Sequence, residues 1–200
     1  MKLVSFLAFL SLAMMINCYG YDRKGLESGV YYIKSEKFGT YVDTCGSDSI
    51  CPYDPDNLFV NNFYGDAYQR FTVTKLKDDY YVITAAINGK NIETRYSYKP
   101  SKTLFLAYAD NYDQDQQFRI VNKGYNTYVL IPRELADKAV EAPKYELEEL
   151  FLGKSDNYNK AQRFVFERYY EKPVKPYGPY DAKSGVAAAT VSAAPVRGPK

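Results

Sequence analysis

Short apolar runs separated by polar turns recur along the chain, and alternating stretches such as GVYYIKS from Gly29 are typical of half-buried β-strands. Similar runs begin at Tyr80 (YYVITAA) and Asn126 (NTYVLIP). Helix-favouring composition occurs only in residues 134–142 and 144–150. At the matching positions elsewhere in the repeating pattern, the sequence predicts strands. We therefore expect an all-β domain, with at most a local helical turn in these segments.

Three short motifs repeat along the chain at nearly constant intervals. The phenylalanines of a Gln-x-Phe motif are 47 and 46 residues apart: Phe71, Phe118 and Phe164. A Leu-Phe-aliphatic motif precedes each copy at intervals of 46 residues, starting at Leu58, Leu104 and Leu150. A third marker, an aliphatic residue followed by a carboxylate, ends in Asp43, Glu93 and Glu141. The repetition predicts three units of four short strands each, twelve in all.

Three units of about 46 residues, each closing with Gln-x-aromatic, resemble the β-trefoil of the ricin B-type lectins, whose repeats end in Gln-x-Trp. The resemblance covers residues 28–168, with repeats at about 28–75, 78–121 and 125–168. It implies that three incomplete units share one core, for which the motif phenylalanines and leucines are candidates. The β-trefoil hosts lectins, protease inhibitors and growth-factor-like ligands, so function has to be argued from the site.

The resemblance also implies a candidate carbohydrate site in the first repeat. A sugar-binding repeat of that family joins an Asp, an Asn-Gln pair and a stacking aromatic ring. Asp43 matches the Asp and Gln69 the Gln, while Tyr68 stands at the Asn position. An ionised carboxylate can accept hydrogen bonds from two sugar hydroxyls. In the other reading, the carboxylates are solvated strand ends and the Gln side chains bind backbone at turns.

The stacking ring has no match directly after the Leu-Phe motifs, where Asn61, Ala107 and Gly153 stand. The loops that follow these positions supply the ring candidates, which are Phe63, Tyr64, Tyr108, Tyr112 and Tyr158. The chain has 22 tyrosines. Tyrosine is a favoured strand residue, and it is also common at binding surfaces.

The two ends of the chain differ from its middle. Lys2 followed by an apolar run to Ile16 predicts a signal peptide over residues 1–20, and hence a secreted, extracellular protein. Residues 21–27 form a short N-terminal segment before the domain. Residues 169–200 hold half of the ten prolines and predict a disordered tail. The remainder has no apolar segment long enough to span a membrane.

Two cysteines, Cys45 and Cys51, remain beyond the expected signal peptide, and in an oxidising compartment they are expected to form a small-loop disulfide. The chain has no histidine, so we expect neither a metal site nor general-base catalysis by histidine, and no cofactor. The 26 basic and 24 acidic residues nearly balance, which does not favour nucleic-acid binding.

The sequence thus predicts a secreted, non-enzymatic binding protein whose partner is a glycan or glycoprotein. Two alternatives remain. The first is a protein partner bound through loops, as in a protease inhibitor or secreted toxin, with the loop holding Cys45 and Cys51 as the presented segment. The second is a tyrosine-rich component of an extracellular matrix.

Overall fold

A computed structural model of the chain describes residues 25–44, 56–94 and 103–171. The described residues form twelve β-strands: β1 Gly29–Ser35, β2 Tyr41–Thr44, β3 Leu58–Asn61, β4 Phe71–Lys75, β5 Tyr80–Ala85, β6 Asn91–Thr94, β7 Leu104–Ala107, β8 Phe118–Gly124, β9 Thr127–Pro132, β10 Lys138–Glu141, β11 Phe151–Lys154 and β12 Phe164–Arg168. The helical elements in these ranges are short 3₁₀ segments: Ala67–Gln69, Lys77–Asp79, Gln114–Gln116 and Lys160–Gln162.

Six strands close into an antiparallel barrel. β1 pairs with β12 and β4, and β4 pairs with β5. β5 pairs with β8, β8 with β9, and β9 with β12, which completes the ring. Closure leaves the barrel without an unpaired edge, so each strand has hydrogen-bonding partners on both sides.

The other six strands form three hairpins, β2–β3, β6–β7 and β10–β11. The three hairpins meet through isolated bridges between Asn57 and Phe105, between Thr103 and Phe151, and between Phe59 and Glu149. Each repeat therefore contributes two barrel strands and one hairpin, around a pseudo-threefold axis. This is the β-trefoil arrangement expected from the three repeated motifs.

The motif residues of the three repeats form the centre of the core. The phenylalanines of the Gln-x-Phe motifs and the leucines of the Leu-Phe motifs are all buried and belong to one apolar cluster: Phe71, Phe118, Phe164, Leu58, Leu104 and Leu150. No single repeat can enclose an apolar face, but three together remove these side chains from water. The core expected from the sequence is confirmed.

The helix-favouring segments of the third repeat are not helical. Residues 138–141 form strand β10, as the repeat predicts. Residues 147–150 instead run along the edge of β3: Leu147 N–H donates to the Val60 carbonyl at 2.8 Å, and Leu150 N–H donates to the Leu58 carbonyl at 2.9 Å. Leu147 has φ +61°, a conformation that long side chains rarely adopt. Pairing with β3 therefore outweighs the helix propensity of this segment.

The chain separates into two compact units, Met1–Tyr170 and Glu171–Lys200. All twelve strands belong to the first unit, and only Glu171 of the second is described. Within the described ranges, no helix is long and apolar enough to cross a membrane. The expected signal peptide and all but the first three residues of the expected tail lie outside the described residues, so both stay predictions.

Candidate functional site

The three repeats share a hydrogen bond between the Gln of Gln-x-Phe and the carboxylate that ends the second strand. Gln69 Nε2 donates to Asp43 Oδ2 at 3.1 Å. In the second and third repeats, Gln116 and Gln162 donate to the Oε2 atoms of Glu93 and Glu141, each at 3.0 Å. The structure therefore brings together the Asp and the Gln that the sequence analysis paired.

The amide of Gln69 is fully used by the protein itself. Its nitrogen also donates to the Asn62 carbonyl at 2.5 Å, and its oxygen accepts from the backbone N–H groups of Tyr64 at 2.8 Å and Gly65 at 3.2 Å. An amide side chain has two donor hydrogens and two acceptor lone pairs, so no capacity is left over. Gln69 is also fully buried, and its amide positions the Asp43 carboxylate and the 62–65 loop. Its predicted place in the binding site stays a prediction.

Asp43 is only partly buried, and its carboxylate retains capacity to accept a hydrogen bond. Burial raises the pKa of the Asp43 carboxyl to about 6, and the nearby Asp66 carboxylate adds to the increase, while hydrogen bonds from Gln69, Asn61 and the Thr44 backbone oppose it. A carboxylate offers about four acceptor positions. Gln69 Nε2 donates to Oδ2, and the carboxylate retains acceptor capacity for a hydroxyl of a bound molecule.

Tyr68 is placed by its main chain. It lies in the 3₁₀ segment after the loop, where its N–H donates to Asp66 Oδ1 at 3.0 Å and its carbonyl accepts from Thr44 Oγ1 at 2.9 Å. These bonds tie the segment to the end of β2, next to Asp43. They do not fix the half-exposed ring of Tyr68, so its predicted role in binding stays a prediction.

The strand register places an aromatic ring opposite each carboxylate. Phe59 faces Asp43, and Phe105 and Phe151 face Glu93 and Glu141. Directly opposed residues of an antiparallel pair project from the same face of the sheet. These rings lie within the Leu-Phe motif, whereas the ring candidates expected from the sequence lie beyond it. The signal was present in the motif itself, because its alternation buries the Leu and turns the Phe to the other face.

The three opposed rings are not equally accessible. Phe59 is 2% exposed, and the 147–150 segment pairs with the strand that carries it. Phe105 and Phe151 are half-buried. In the first repeat, therefore, the ring opposite the carboxylate is covered, and any ring that contacts a ligand has to come from another position.

The loops after β3, β7 and β11 supply exposed rings at the positions the sequence analysis named: Phe63, Tyr64, Tyr108, Tyr112 and Tyr158. In the first repeat, the Tyr64 hydroxyl donates to Asn61 Oδ1 at 3.5 Å. The Asn61 side chain also lowers the pKa of the Asp43 carboxyl. An exposed tyrosine is therefore bonded to a side chain that acts on the carboxylate in this repeat.

Gly153 has a steric role in the third repeat. It occupies the position held by Asn61 and Ala107 in the other two. A Cβ atom at Gly153 would collide with the Glu141 carboxylate and lie 3.0 Å from Gln162 Nε2. In the third repeat, glycine therefore leaves room for the Glu141 side chain to reach Gln162 in the conformation it adopts here.

Within the described residues, no group of three or more Cys, Asp or Glu side chains is arranged to hold a metal ion. Cys45 and Cys51 lie outside the described residues, so the disulfide between them stays a prediction. The candidate site of the first repeat thus consists of Asp43 with the amides that hold it and the exposed rings of the following loop.

Comparisons with known proteins agree on the fold. Neither a protein-family model nor a curated protein sequence matches the chain. Among solved structures, the designed threefold symmetric protein ThreeFoil is 19% identical with a TM-score of 0.61, over 70% of this chain and 99% of its own. The ricin B-like lectin of Macrolepiota procera, solved in complex with lactose, is 13% identical with a TM-score of 0.57, over 73% of this chain and 100% of its own.

A third similar structure is an enzyme, the exo-β-1,3-galactanase of Clostridium thermocellum. It is 15% identical with a TM-score of 0.59, and the match covers 73% of this chain but only 31% of the enzyme. The chain thus resembles one part of that protein. At these identities the similarity establishes the fold alone, which is a β-trefoil.

Proposed function

We propose that this chain is a secreted, non-enzymatic protein that binds carbohydrate or the glycan of a glycoprotein, with its main site at Asp43. One observation carries the proposal. The Asp43 carboxylate is held by the amide of Gln69 and retains acceptor capacity, and the same amide bonds the loop that carries the exposed rings of Phe63 and Tyr64. Sugar hydroxyls can donate to such a carboxylate, while the apolar face of a sugar ring can pack on an aromatic side chain.

The electrostatics of Asp43 supports a binding role. Burial raises the pKa of this carboxyl to about 6, so the folded chain holds a charge at neutral pH that its surroundings disfavour. Strongly perturbed groups of this kind cluster at functional sites. The lectin of the same fold that was solved with lactose shows that the architecture accommodates a saccharide.

The proposal of a non-enzymatic role rests on the side chains available. The chain has no histidine, the side chain that most often acts as a general base. Secretion rests on the apolar N-terminal segment, residues 1–20. It is tested by expressing the full chain in eukaryotic cells and sequencing the N-terminus of the protein recovered from the medium, which we expect to begin near residue 21.

Three matched substitutions test the carbohydrate site. Asp43→Asn, Glu93→Gln and Glu141→Gln each neutralise one strand-end carboxylate without changing its size, and each keeps an oxygen to accept from the paired Gln. On a glycan array, the parent chain should bind one group of related glycans, and Asp43→Asn should lose most of that signal. The two glutamate variants should keep it. Equal signals for all three variants, or no glycan bound by the parent chain, would contradict the proposal.

A further inference from the structure

Tyr112 and Tyr158 occupy the same position in the loops after β7 and β11. Each stands four residues before the Gln of a Gln-x-Phe motif. The N–H of each tyrosine donates to Oδ1 of the aspartate two residues earlier, at 2.9 Å in the second repeat and at 2.8 Å in the third. The two side chains are 93% and 88% exposed. Both loops therefore present a tyrosine to solvent in the same backbone setting.

The charges around these two tyrosines differ. Residues 103–118 contain no lysine or arginine but three aspartates, which are Asp110, Asp113 and Asp115. The matching residues 149–164 of the third repeat contain two acidic and three basic residues. The second-repeat loop is therefore acidic around its tyrosine, whereas the third-repeat loop is slightly basic.

The scaffold does not require the two aspartates that follow Tyr112. Asp113 Oδ1 caps a 3₁₀ segment by accepting from the Asp115 N–H at 3.0 Å, and in the third repeat Asn159 Oδ1 accepts from the Ala161 N–H at the same distance. An uncharged amide therefore serves as the same cap. Burial raises the pKa of the Asp115 carboxyl, and the Asp113 carboxylate raises it further. Neither capping nor electrostatic stability accounts for these charges.

Two other exposed tyrosines with acidic neighbours in the sequence each have a lysine at the ring. Lys90 Nζ lies 5.6 Å from the centroid of the Tyr108 ring, and Lys144 Nζ lies 4.9 Å from the centroid of the Tyr145 ring. A cation against the ring opposes docking to a basic partner. Tyr112 is the most exposed aromatic side chain among the described residues, so it is the tyrosine that best suits such a partner.

An exposed phenol among carboxylates suits an enzyme that transfers a sulfuryl group. The donor of such an enzyme is a phosphosulfate anhydride with several negative charges, so the active site is basic and an acidic acceptor loop is complementary to it. The phenolic oxygen attacks the donor sulfur, and the bond from sulfur to the bridging phosphate oxygen breaks. The phosphate leaves, and the phenol proton passes to a base of the enzyme. The product is a sulfate ester, and no group is oxidised or reduced.

We propose that Tyr112 is a site of tyrosine sulfation by a transferase of the secretory pathway, and that Asp113 and Asp115 select it over Tyr158. The inference rests on the secretion of the chain, which is part of the proposed function, and is independent of carbohydrate binding. The ester adds a fixed negative charge and new acceptor oxygens at the tip of the second-repeat loop.

Mass spectrometry of the secreted chain tests this inference. The full chain is expressed in eukaryotic cells with a secreted reporter whose tyrosine lies in a flexible acidic segment, so that sulfation of the reporter shows that the transferase is active. Trypsin places Tyr112 in the peptide 103–119 and Tyr158 in the peptide 155–160. The first peptide should carry one sulfuryl group, located on Tyr112 by electron-transfer fragmentation, and should incorporate radiolabelled sulfate. The second peptide should carry none, and Tyr112→Phe should abolish the label in the first.

Two exchanges between the repeats complete the test. Asp113→Asn combined with Asp115→Ala installs the third-repeat residues, keeps the cap, and should remove most of the modification from the second-repeat tyrosine. Asn159→Asp combined with Lys160→Gln installs the second-repeat residues outside the core and should produce modification of the third-repeat tyrosine. Urea unfolding checks that both variants keep the fold.

Four results would each overturn the inference while the proposed function stands. They are an unmodified Tyr112 beside a sulfated reporter, phosphate in place of sulfate, sulfation of Tyr158 or Tyr145 to at least the same extent, and a modified fraction that Asp113→Asn with Asp115→Ala leaves unchanged. Absence of the chain from the medium would overturn its proposed secretion and this inference together.

Discussion

The cost of keeping an ionised carboxylate at Asp43 can be measured through the pH dependence of stability. The pKa of this carboxyl is about 6 in the folded chain against 3.8 for the unperturbed group. The folded pKa is raised, so the folded state is favoured by protonation. The stabilisation is complete below about pH 3.8 and is lost as pH rises through about 6.

The magnitude follows from the two pKa values. A difference of about two pKa units corresponds to about 3 kcal/mol. Because Asp43 is only partly buried, solvent screening reduces this to about 1 to 2 kcal/mol. Asp43→Asn removes the titrating group but keeps an oxygen that can accept from Gln69, so the pH-dependent contribution should vanish in this variant.

The assay is urea unfolding of the parent chain and Asp43→Asn at several pH values from 4 to 7.5. The stability of the parent relative to the variant should fall by about 1 to 2 kcal/mol over this range, with most of the change between pH 4 and 6.5. Asp66→Asn should reduce the change, because Asp66 contributes to the raised pKa of Asp43. A relative stability that is constant with pH, or that rises with pH, would refute the assigned burial of the carboxylate.

Three further substitutions test the scaffold, each by urea unfolding. Phe118→Ala removes a fully buried core ring and should cost about 3 to 5 kcal/mol, whereas an unchanged unfolding midpoint would show that Phe118 is not in the core. Gln116→Ala leaves the buried amide of Asn91 without an acceptor and should cost about 1 to 3 kcal/mol. A neutral result would disprove its structural role. Gly153→Ala should destabilise the fold by about 1 to 3 kcal/mol through the collision with Glu141. Ala107→Gly at the matching position should cost about 1 kcal/mol or less. Similar losses of stability in the two variants would contradict the steric argument.

The fold could be predicted from the sequence because the motifs that mark it recur at nearly constant intervals. The Gln-x-Phe and Leu-Phe motifs mark the same positions in each unit, and Phe71, Phe118 and Phe164 are buried together as that repetition predicts. The repeat also outweighed local propensity correctly at residues 138–141, which form strand β10. Where three units have to assemble one core, positional agreement among them is stronger evidence than the composition of one segment.

The burial and exposure of the rings at the site could not be predicted from the sequence, because they depend on pairing between distant segments. Burial of Phe59 reflects the 147–150 segment running along β3, a contact between the first and third repeats that neither segment encodes locally. The proximity of Phe63 to Tyr32 and Tyr41 likewise requires the loop conformation that Gln69 and Gly65 impose. The sequence could name Asp43, Gln69 and the ring candidates, but not which ring the fold leaves exposed and fixed.

The central claim, saccharide binding at the first repeat, is tested most directly by amide chemical-shift mapping. A ¹⁵N-labelled sample of the chain is titrated with the glycan that binds best on the array. Binding at the first repeat should shift the amide signals of Asp43 and of residues 61–69, with little change in the β8–β9 turn at Tyr125. Shifts confined to other surfaces, or no shifts at saturating glycan, would contradict it.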